Sequence, residues 1–544
     1  MIAQRIARMA SIIVFLGLVL VAAMATAHGA EWQFAVSAGS KPNQRAWLWI
    51  PPNCQYVKGL VLAQQVILEN NILEGPIIRA MAAEENLALV IVCPAFDGEF
   101  DYKNSDAAGM LQKILDDLAH ECGYTEIAAA PLLPIGHSGS GIFAWMLAYW
   151  NPSRVFGVVS IKSAAQHPPA FDPKASVDGV PILAISGQYE SYGDPENSLE
   201  HHWRWLRGTL LDLRAKTKRG LMSELVEPGA GHFGWYDELA QHVALFISTA
   251  AQHRIPNEIA RGQPIVLRTL DLRSGWLTDH IFVAPSEHPP APYSKYTGDT
   301  SLAFWHINER LARATENFGR DRKGKREQMV TFVEGGQLLK GAWLQTLKFN
   351  PSDDGLTVRV AGNFLERAPT GVAEAGQPLG HAEGPVRFRL IGGWAGGGEQ
   401  IGDNRFRLRF GHFGITARAD NIMLMAYHPG DAFYRYAEQP AQIKFPLYAT
   451  AGRPQTITFP EVNPIKAGTP AIELTAISDE NLPIDYCVIR GPAEVRGHTL
   501  YLTDVPPRSP FPVKIEVLAY QWGRSLPPLV QTAEPVTRII LLDR

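Results

Sequence analysis

The sequence predicts an α/β domain built on a mostly parallel sheet, followed by β-rich regions that end in an immunoglobulin-like sandwich. Three observations predict this architecture. Short apolar segments alternate with helical segments from about residue 32 to 255. After about residue 256, proline and glycine become frequent, and apolar and polar residues alternate as they do in antiparallel strands. From about residue 453, short strand-like segments recur at the close spacing typical of a sandwich.

The first region contains the strands expected of a parallel sheet, each an apolar run of a few residues. These are Gln33–Val36 and Ala46–Ile50, which form an opening hairpin, then Gly59–Ala63, Leu87–Cys93, Ala128–Leu133, Val155–Ile161, Val180–Ser186 and Met222–Val226. Helices are expected between them, at Pro76–Glu85, Ser105–Glu121, Ile142–Trp150, Ser198–Lys216 and Trp235–Ala251. Alternating units of this kind put helices on both faces of the sheet.

A chain of 544 residues is too long for a single core, so we expect several domains. The predicted organisation is a signal peptide at 1–27, an α/β domain at 31–255, a β-rich middle domain at 256–452 and the sandwich at 453–544. One helix, near Leu302–Phe318, is expected to interrupt the middle domain.

Composition excludes some functional classes. Hydrophobic residues make up 46% and charged residues 19% of the chain, which is ordinary for a globular protein. The net charge of −4 gives no reason to expect a nucleic-acid partner. No cysteine or histidine spacing suggests a zinc site, and we expect no cofactor. The four cysteines allow at most one plausible pair, among Cys54, Cys93 and Cys122.

The amino terminus has the layout of a secretory signal peptide. Arg5 and Arg8 precede an apolar run from Ile12 to Met24, and small residues follow it. We expect cleavage after Ala27 or Ala30 and a secreted or periplasmic protein with no stable membrane insertion afterwards. The alternative is a retained membrane anchor, although the run is short for a membrane span.

The motif that carries most information is Gly136-His137-Ser138-Gly139-Ser140-Gly141. It joins an apolar strand to a helix, and small residues flank Ser138. Such a tight turn lifts a serine hydroxyl above the sheet edge, where the next helix aims its amides at an oxyanion. Ser138 is therefore the candidate nucleophile. The alternative is a serine that only caps the helix.

A nucleophilic serine needs a histidine base and an acid that orients it, and in this topology they follow in the order acid, then histidine. Glu190 follows the strand Val180–Ser186, and His232 lies in a glycine-rich turn after Met222–Val226. These two are the predicted acid and base. Asp194 is close enough to be the acid instead. His137, His201 and His202 are interpreted as packing or surface residues.

These residues together resemble the α/β-hydrolase superfamily, over about residues 57–251. The motif around Ser138 matches the common Gly-His-Ser-x-Gly-Gly elbow except at Ser140. The resemblance implies an oxyanion hole formed by the backbone amide of Gly139 and by Gln64 or Gln65, which stand where many relatives have His-Gly. A glutamine side chain is another possible donor. The ending Tyr520-Gln-Trp-Gly-Arg-Ser525 is similar to that of secreted bacterial hydrolases loosely linked with polysaccharide breakdown.

The predicted function is a secreted serine hydrolase that cleaves a carboxylic ester, on a small molecule or a polysaccharide, through a Ser-His-Glu triad and an acyl-enzyme. Aromatic residues crowd the loops around the triad, and Tyr189, Trp235 and Asp97 are the candidate substrate-binding residues. The alternatives are an exopeptidase or a lipase on the same fold, or a glycan-binding protein without catalysis. The sequence does not indicate an oligomeric state.

Overall fold

A computed structural model describes residues 32–39, 44–95, 97, 100–191, 201–258, 262–279, 288–369, 376–392, 397–413, 421–445 and 449–544. The predicted signal peptide, and Asp194 as the alternative acid, lie outside these residues. Within these ranges no helix has the length and apolarity needed to cross a membrane.

An eight-stranded sheet forms the centre of the first region. Its strands are β1 (Phe34–Ser37), β2 (Arg45–Trp49), β3 (Gly59–Gln64), β4 (Leu87–Cys93), β5 (Leu132–His137), β6 (Val158–Ile161), β7 (Ile182–Gly187) and β8 (Met222–Glu227). The spatial order is β1-β2-β4-β3-β5-β6-β7-β8. Strand β2 is antiparallel to both neighbours, and the strands from β4 to β8 run parallel. This is the topology of the α/β-hydrolase fold, and it confirms the predicted fold class.

Helices cover both faces of this sheet. They are α1 (Glu69–Glu74), α2 (Pro76–Glu85), α3 (Ala107–Cys122), α4 (Gly139–Trp150), α5 (His201–Lys216) and α6 (Asp237–Arg254). Alternate residues of a strand point to opposite faces. Accordingly, Leu60 and Leu62 of β3 belong to the core under α3, α4 and α5, whereas Val61 belongs to the core under α2 and α6. The sheet is buried on both sides, which explains its unbroken apolar strands.

The middle region is β-rich, as predicted. Its strands are β9 (Trp276–Thr278), β10 (Ala291–Pro292), β11 (Phe304–His306), β12 (Val330–Glu334), β13 (Gln337–Leu338), β14 (Gln345–Leu347), β15 (Thr357–Arg359), β16 (Ala361–Phe364), β17 (Arg387–Gly392), β18 (Gly398–Gly402), β19 (Arg405–Leu408), β20 (Asn421–His428) and β21 (Ala437–Lys444). Most neighbours are antiparallel, but β14 pairs with β21 in parallel.

The helix of the middle region is shorter than predicted. It is α7 (Glu309–Asn317), and it begins seven residues after the expected start at Leu302. The residues Phe304–His306 pair with β9 as strand β11 instead. The Asn308 side chain then accepts a hydrogen bond from the Leu311 amide, and this cap sets the start of the helix.

The last region consists of small sheets. Its strands are β22 (Ile457–Thr458), β23 (Ile465–Lys466), β24 (Ile472–Glu473), β25 (Ile477–Ser478), β26 (Asp485–Arg490), β27 (Ala493–Arg496), β28 (Thr499–Leu502), β29 (Val513–Tyr520) and β30 (Val536–Asp543). They form a two-, a three- and a four-stranded sheet. The immunoglobulin-like assignment and the domain boundaries stay predictions. All four cysteines of the chain are buried, and none of the four forms a disulfide bond.

The later regions share cores with the first one. The apolar core under α3 and α4 extends into Ile515 and Val517 of β29, in the last region. The core on the opposite face of the sheet extends into Met423 and Met425 of β20, in the middle region. The eight-stranded sheet and its helices therefore share buried cores with both β-rich regions.

Candidate active site

Ser138 occupies a strained turn between β5 and α4. Its backbone has φ 55° and ψ −125°, a conformation that side chains other than glycine rarely adopt. The Ser138 amide donates to the carbonyl of Ile161 at 2.9 Å, which fixes the turn against β6. Ser138 is half-buried and Gly139 is exposed. The hydroxyl and the first amide of α4 thus lie at the accessible edge of the sheet, as the nucleophile-elbow interpretation requires.

The neighbouring small residues make this turn possible. A Cβ atom at Gly136 would lie 2.1 Å from the backbone oxygen of Ser140, and one at Gly141 would lie 2.4 Å from Cβ of Ser163. Ser140, which replaces the last glycine of the strict motif, has a role of its own. Its buried hydroxyl donates to the Gln64 carbonyl at 2.9 Å and joins the elbow to β3.

Glu190 and His232 meet at the carboxyl ends of β7 and β8. Nδ1 of His232 donates to Oε2 of Glu190 at 3.0 Å, and the Gly187 amide donates to Oε1 at 2.7 Å. Both side chains are buried, with relative exposures of 8% for His232 and 4% for Glu190. Nε2 of His232 is buried and has no hydrogen-bond partner among the described residues. The imidazole therefore has one nitrogen oriented by a carboxylate and the other free to take a proton.

A second imidazole reaches the same carboxylate. Nδ1 of His202, on α5, lies 3.3 Å from Oε2 of Glu190. The sequence interpretation treated His202 as a packing or surface residue and missed this contact. The only sequence signal was the position of α5 after the predicted acid turn, which does not reveal which helix face meets Glu190.

Burial and these contacts oppose each other in setting the pKa values. Burial alone raises the pKa of Glu190, but the two imidazoles at its carboxylate more than offset this and lower it to about 2. Burial lowers the pKa of His232 below the usual histidine value, despite the nearby Glu190. For His202, Glu190 outweighs burial, and the pKa of His202 is raised. Glu190 is thus a carboxylate at neutral pH, and His232 is a neutral base.

His137 holds the histidine turn from inside the sheet. Its Nε2 lies 2.8 Å from the His232 carbonyl and donates to it, because a carbonyl oxygen can only accept. The two rings are 4.8 Å apart. Burial lowers the pKa of His137 well below the usual value, so this side chain is neutral. It packs, as predicted, and it also positions the backbone of His232.

The turn from Gly231 to Gly234, here called the histidine loop, is also held at both ends. The Gly231 amide donates to Oε1 of Glu438 at 2.8 Å, and Glu438 belongs to β21 in the middle region. Nζ of the fully buried Lys162 donates to the Gly234 carbonyl at 2.8 Å and forms an ion pair with Glu227 at 3.1 Å. The middle region is therefore part of the support of His232.

The proposed oxyanion donors have different surroundings. Gly139 stands exposed at the start of α4, where helix amides lack internal partners. The Gln65 amide donates to the Val92 carbonyl at 2.8 Å and extends the sheet ladder. The Gln64 side chain donates to the Asp97 carbonyl at 2.7 Å. The role of Gln64 and Gln65 in an oxyanion hole stays a prediction, and the Gln65 amide is already engaged.

A buried carboxylate organises the segment after β3. Oε2 of Glu69 accepts hydrogen bonds from the amides of Val66 and Ile67 at 2.8 and 3.0 Å, and Oε1 accepts one from the His137 amide at 2.9 Å. Burial raises the pKa of Glu69. This residue ties the end of β5, just before Ser138, to the segment in which the second oxyanion donor is expected.

The predicted substrate-binding residues are all in structural contacts. The Tyr189 hydroxyl donates to Oε1 of Glu327 at 2.6 Å, and the Arg435 guanidinium lies 5.4 Å from the centre of its ring. Trp235 is half-buried against the core under α2 and α6. The Asp97 carboxylate accepts hydrogen bonds from the backbone amides of Phe100 and Asp101. Their substrate-binding roles stay predictions.

An aromatic residue that the sequence analysis missed lies beside the base. Trp343, from the middle region, has its ring 4.9 Å from the imidazole of His232 and 4.8 Å from the ring of Phe233. It remains 45% exposed. No local sequence signal links Trp343 to a histidine more than a hundred residues earlier.

Among the described residues, no cluster of three or more histidine, cysteine, aspartate or glutamate side chains is arranged to hold a metal ion. A strained serine, a buried imidazole and an ionised carboxylate are together the parts that acyl transfer requires.

Several solved structures are similar to about two fifths of the chain. The chain is similar in structure to the poly(3-hydroxybutyrate) depolymerase LpqC of Bordetella parapertussis, with 15% identity and a TM-score of 0.27 over 39% of this chain and 87% of the other. It is also similar to an S-formylglutathione hydrolase of Agrobacterium tumefaciens, with 16% identity and a TM-score of 0.29 over 40% and 94%.

A third similar structure is the dienelactone hydrolase of Anabaena variabilis, with 20% identity and a TM-score of 0.27 over 41% of this chain and 97% of the other. Neither a protein-family model nor a curated protein matches the sequence. At these identities and TM-scores the similarity does not indicate an activity or a substrate.

Proposed function

We propose that the chain is a serine hydrolase that cleaves a carboxylic ester borne by a carbohydrate, with Ser138 as nucleophile, His232 as base and Glu190 as the orienting acid. The observation that carries the proposal is the buried Glu190–His232 hydrogen bond of 3.0 Å, at the same sheet edge as the strained elbow of Ser138. Backbone strain of this kind clusters at functional sites. The strained turn at Ser138 therefore favours a nucleophile over a serine that only caps the helix.

Acylation starts when Nε2 of His232 takes the proton from the Ser138 hydroxyl. The Oγ atom attacks the ester carbonyl carbon, and the carbonyl π electrons move to oxygen to form the oxyanion. The Gly139 amide, at the positive end of α4, donates to that oxyanion. The proposed second donor is the side-chain NH₂ of Gln64, which donates one hydrogen bond to the Asp97 carbonyl and carries a second N–H group. Glu190 keeps the proton on Nδ1 and stabilises the imidazolium that forms.

The tetrahedral intermediate then collapses. The bond between the carbonyl carbon and the alcohol oxygen breaks, and His232 returns its proton to the departing alcohol. The acyl group remains on Ser138. A water molecule gives a proton to Nε2 of His232 and attacks the acyl carbon. When the second intermediate breaks down, the bond from the acyl carbon to Oγ breaks and His232 returns that proton to Oγ, which releases the acid and restores Ser138.

The carbohydrate and the extracellular location are the finer parts of the proposal. Exposed aromatic surface beside His232 supports a ring-shaped substrate. The signal-peptide layout of residues 1–27 supports export, and a polymeric substrate outside the cytoplasm fits an exported protein.

The proposal is tested by hydrolysis of p-nitrophenyl acetate and of acetylated xylan, by the wild type and by Ser138→Ala. We expect the variant to lose both activities by roughly 10⁶-fold, because removal of a triad nucleophile leaves only the contribution of the rest of the site. Ser153→Ala is the matched control, since Ser153 is an exposed serine in the loop after α4, and it should keep wild-type activity.

Each alternative predicts a different result. Turnover of an aminoacyl p-nitroanilide without turnover of esters indicates an exopeptidase, and a preference for long-chain acyl esters indicates a lipase. Binding of glycan without hydrolysis of any ester indicates a non-catalytic glycan-binding protein. An active Ser138→Ala variant contradicts the proposal.

A further inference from the structure

We propose that Trp343 is the platform for the alcohol half of the ester, and that this half is a sugar ring. Trp343 then determines specificity, and the middle β-rich region supplies part of the substrate site. The inference rests on the proposed function, and it goes further by assigning one part of the substrate to one residue.

The first step is the position of the ring. Trp343 lies 4.9 Å from the imidazole of His232 at an interplanar angle of 40°, and it contacts Phe233 on the same loop. With 45% of its surface exposed, Trp343 is far more accessible than most tryptophans of this chain near the sheet, such as Trp47 at 0% and Trp145 at 0%. A tryptophan beside the candidate base therefore offers a large part of its surface to a ligand.

The second step is chemical. In ester hydrolysis the base returns its proton to the leaving alcohol oxygen, so that oxygen is in hydrogen-bonding reach of Nε2 of His232. The group attached to the oxygen must lie next to the imidazole. The ring of Trp343 lies 4.9 Å from that imidazole, so we assign it to the alcohol half rather than to the acyl half.

The third step is the kind of alcohol. The face of an indole ring is apolar and carries partial negative charge. A sugar ring presents C–H groups of partial positive charge on one face and hydroxyl groups around its rim. Stacking on a half-exposed ring buries the C–H face and leaves the hydroxyl groups in water. A short acyclic alcohol has no such face and gains little from Trp343.

The fourth step is that the platform is held in place. The side chain of Gln439, which is fully buried, accepts from the Ala342 amide at 3.4 Å and donates to the Ala342 carbonyl at 2.7 Å. On the other side, Leu344 packs against the core under α2 and α6. Both neighbours of Trp343 are therefore fixed, which limits the entropy lost when a ligand binds.

The same strand also supports the base. Gln439 follows Glu438 in β21, and Glu438 holds Gly231 of the histidine loop. Two consecutive residues of the middle region thus fix the platform and the loop that carries His232. Their relative position is set by one rigid element, which is the arrangement a substrate-binding site needs.

The test compares two acetates that share the acyl group, 1-O-methyl xyloside monoacetate and ethyl acetate, with the wild type, Trp343→Ala and Trp343→Phe. We expect Trp343→Ala to lower kcat/KM about tenfold for the sugar acetate and less than about twofold for ethyl acetate, because stacking is lost only for the ring. Trp343→Phe, which keeps an aromatic face, should recover most of the loss. Phe433→Ala is the control, since Phe433 is 67% exposed in the same region.

Each result decides the matter. Equal losses for the two acetates, or no loss for either, overturn the platform while leaving the hydrolase proposal standing, because the wild type is then active. A wild type that hydrolyses neither acetate nor p-nitrophenyl acetate overturns both proposals. A loss confined to the sugar acetate supports the assignment.

Discussion

At the scale of single residues, the site differs from a simple triad because Glu190 contacts two imidazoles. His232 lies 3.0 Å and His202 lies 3.3 Å from the same carboxylate oxygen. A protonated His202 competes for the negative charge of Glu190, and its positive charge also lowers the pKa of His232. His202 is a positioning residue, since it acts on the base only through the acid and through its charge.

This contact predicts a change in the pH profile. The acid limb of kcat/KM reports the pKa of the free base, here His232, and burial already places that pKa below the usual histidine value. His202→Gln removes the positive charge, so the pKa of His232 rises. We expect the acid limb of p-nitrophenyl acetate hydrolysis to move to higher pH, with the plateau rate changed less than the limb.

His201→Gln is the matched control for this experiment. His201 is the exposed neighbour of His202 at the start of α5, and both variants replace one histidine of this helix with glutamine. It should leave the pH profile unchanged. An acid limb that stays in place, or moves to lower pH, in His202→Gln contradicts the role given to His202.

At the scale of elements, the histidine loop is held by three separate parts of the fold. Glu438 accepts from the first residue of the loop, His137 donates to the carbonyl of His232, and Lys162 donates to the carbonyl of Gly234. A Cβ atom at Gly234 would lie 2.5 Å from Oε1 of Glu438, so only glycine allows this close approach. A loop without secondary structure is thereby given a defined position.

The contact of Glu438 with Gly231 predicts a loss of rate more than of binding. Glu438→Ala removes the acceptor for the Gly231 amide, and a small displacement of a catalytic group costs up to about 10²-fold in rate. We expect kcat for p-nitrophenyl acetate to fall roughly 10- to 100-fold with KM little changed. Glu438→Gln keeps an acceptor oxygen and should recover most of the rate.

Tyr436→Phe separates positioning from general destabilisation. The Tyr436 hydroxyl donates to Oε2 of Glu438, on the side away from Gly231. The variant therefore perturbs the same buried carboxylate and leaves the loop contact in place. Two outcomes would contradict a positioning role for the contact between Glu438 and Gly231. One is a similar fall in kcat for Tyr436→Phe, and the other is a folded Glu438→Ala variant with the wild-type kcat.

The sequence was sufficient to predict the candidate triad because Ser138, Glu190 and His232 follow three strands of one parallel sheet. The carboxyl ends of such strands meet at one edge, so chain order and turn residues already indicate proximity. His202, Trp343 and Glu438 could not be predicted in this way. Their positions depend on how a helix face and a separate β-rich region dock, which leaves no periodicity or motif.

At the scale of the whole molecule, the three regions are joined by buried contacts. Nε1 of Trp47 in β2 donates to the Ile489 carbonyl at 3.0 Å, and its ring meets Phe413 edge-on at 4.7 Å. Arg45 in the same strand forms a bidentate ion pair with Glu516. One strand of the eight-stranded sheet is therefore covered by both later regions.

Shared cores predict cooperative unfolding. Trp47 is fully buried, and burial of a large apolar side chain contributes about 1.5–3 kcal/mol that is lost when its cover is removed. We expect the whole chain to unfold in urea in a single transition, by tryptophan fluorescence and by circular dichroism alike. A chain that ends at residue 452 should unfold at a lower urea concentration or fail to stay in solution.

Two separate transitions in the whole chain contradict the prediction of cooperative unfolding. An unchanged urea midpoint after removal of residues 453–544 contradicts it as well. The predicted boundaries at residues 256 and 453 would then mark units that fold independently. The packing of β29 against the first region argues for the single transition.

The central claim is that Ser138 is a nucleophile activated by His232 and Glu190. Its most direct test is mass spectrometry of the protein after reaction with a fluorophosphonate, which modifies only activated serines. We predict one adduct, on the peptide that contains Ser138, and its loss in His232→Asn, whose elbow is unchanged. An adduct on another serine, or an unmodified wild type, contradicts the claim.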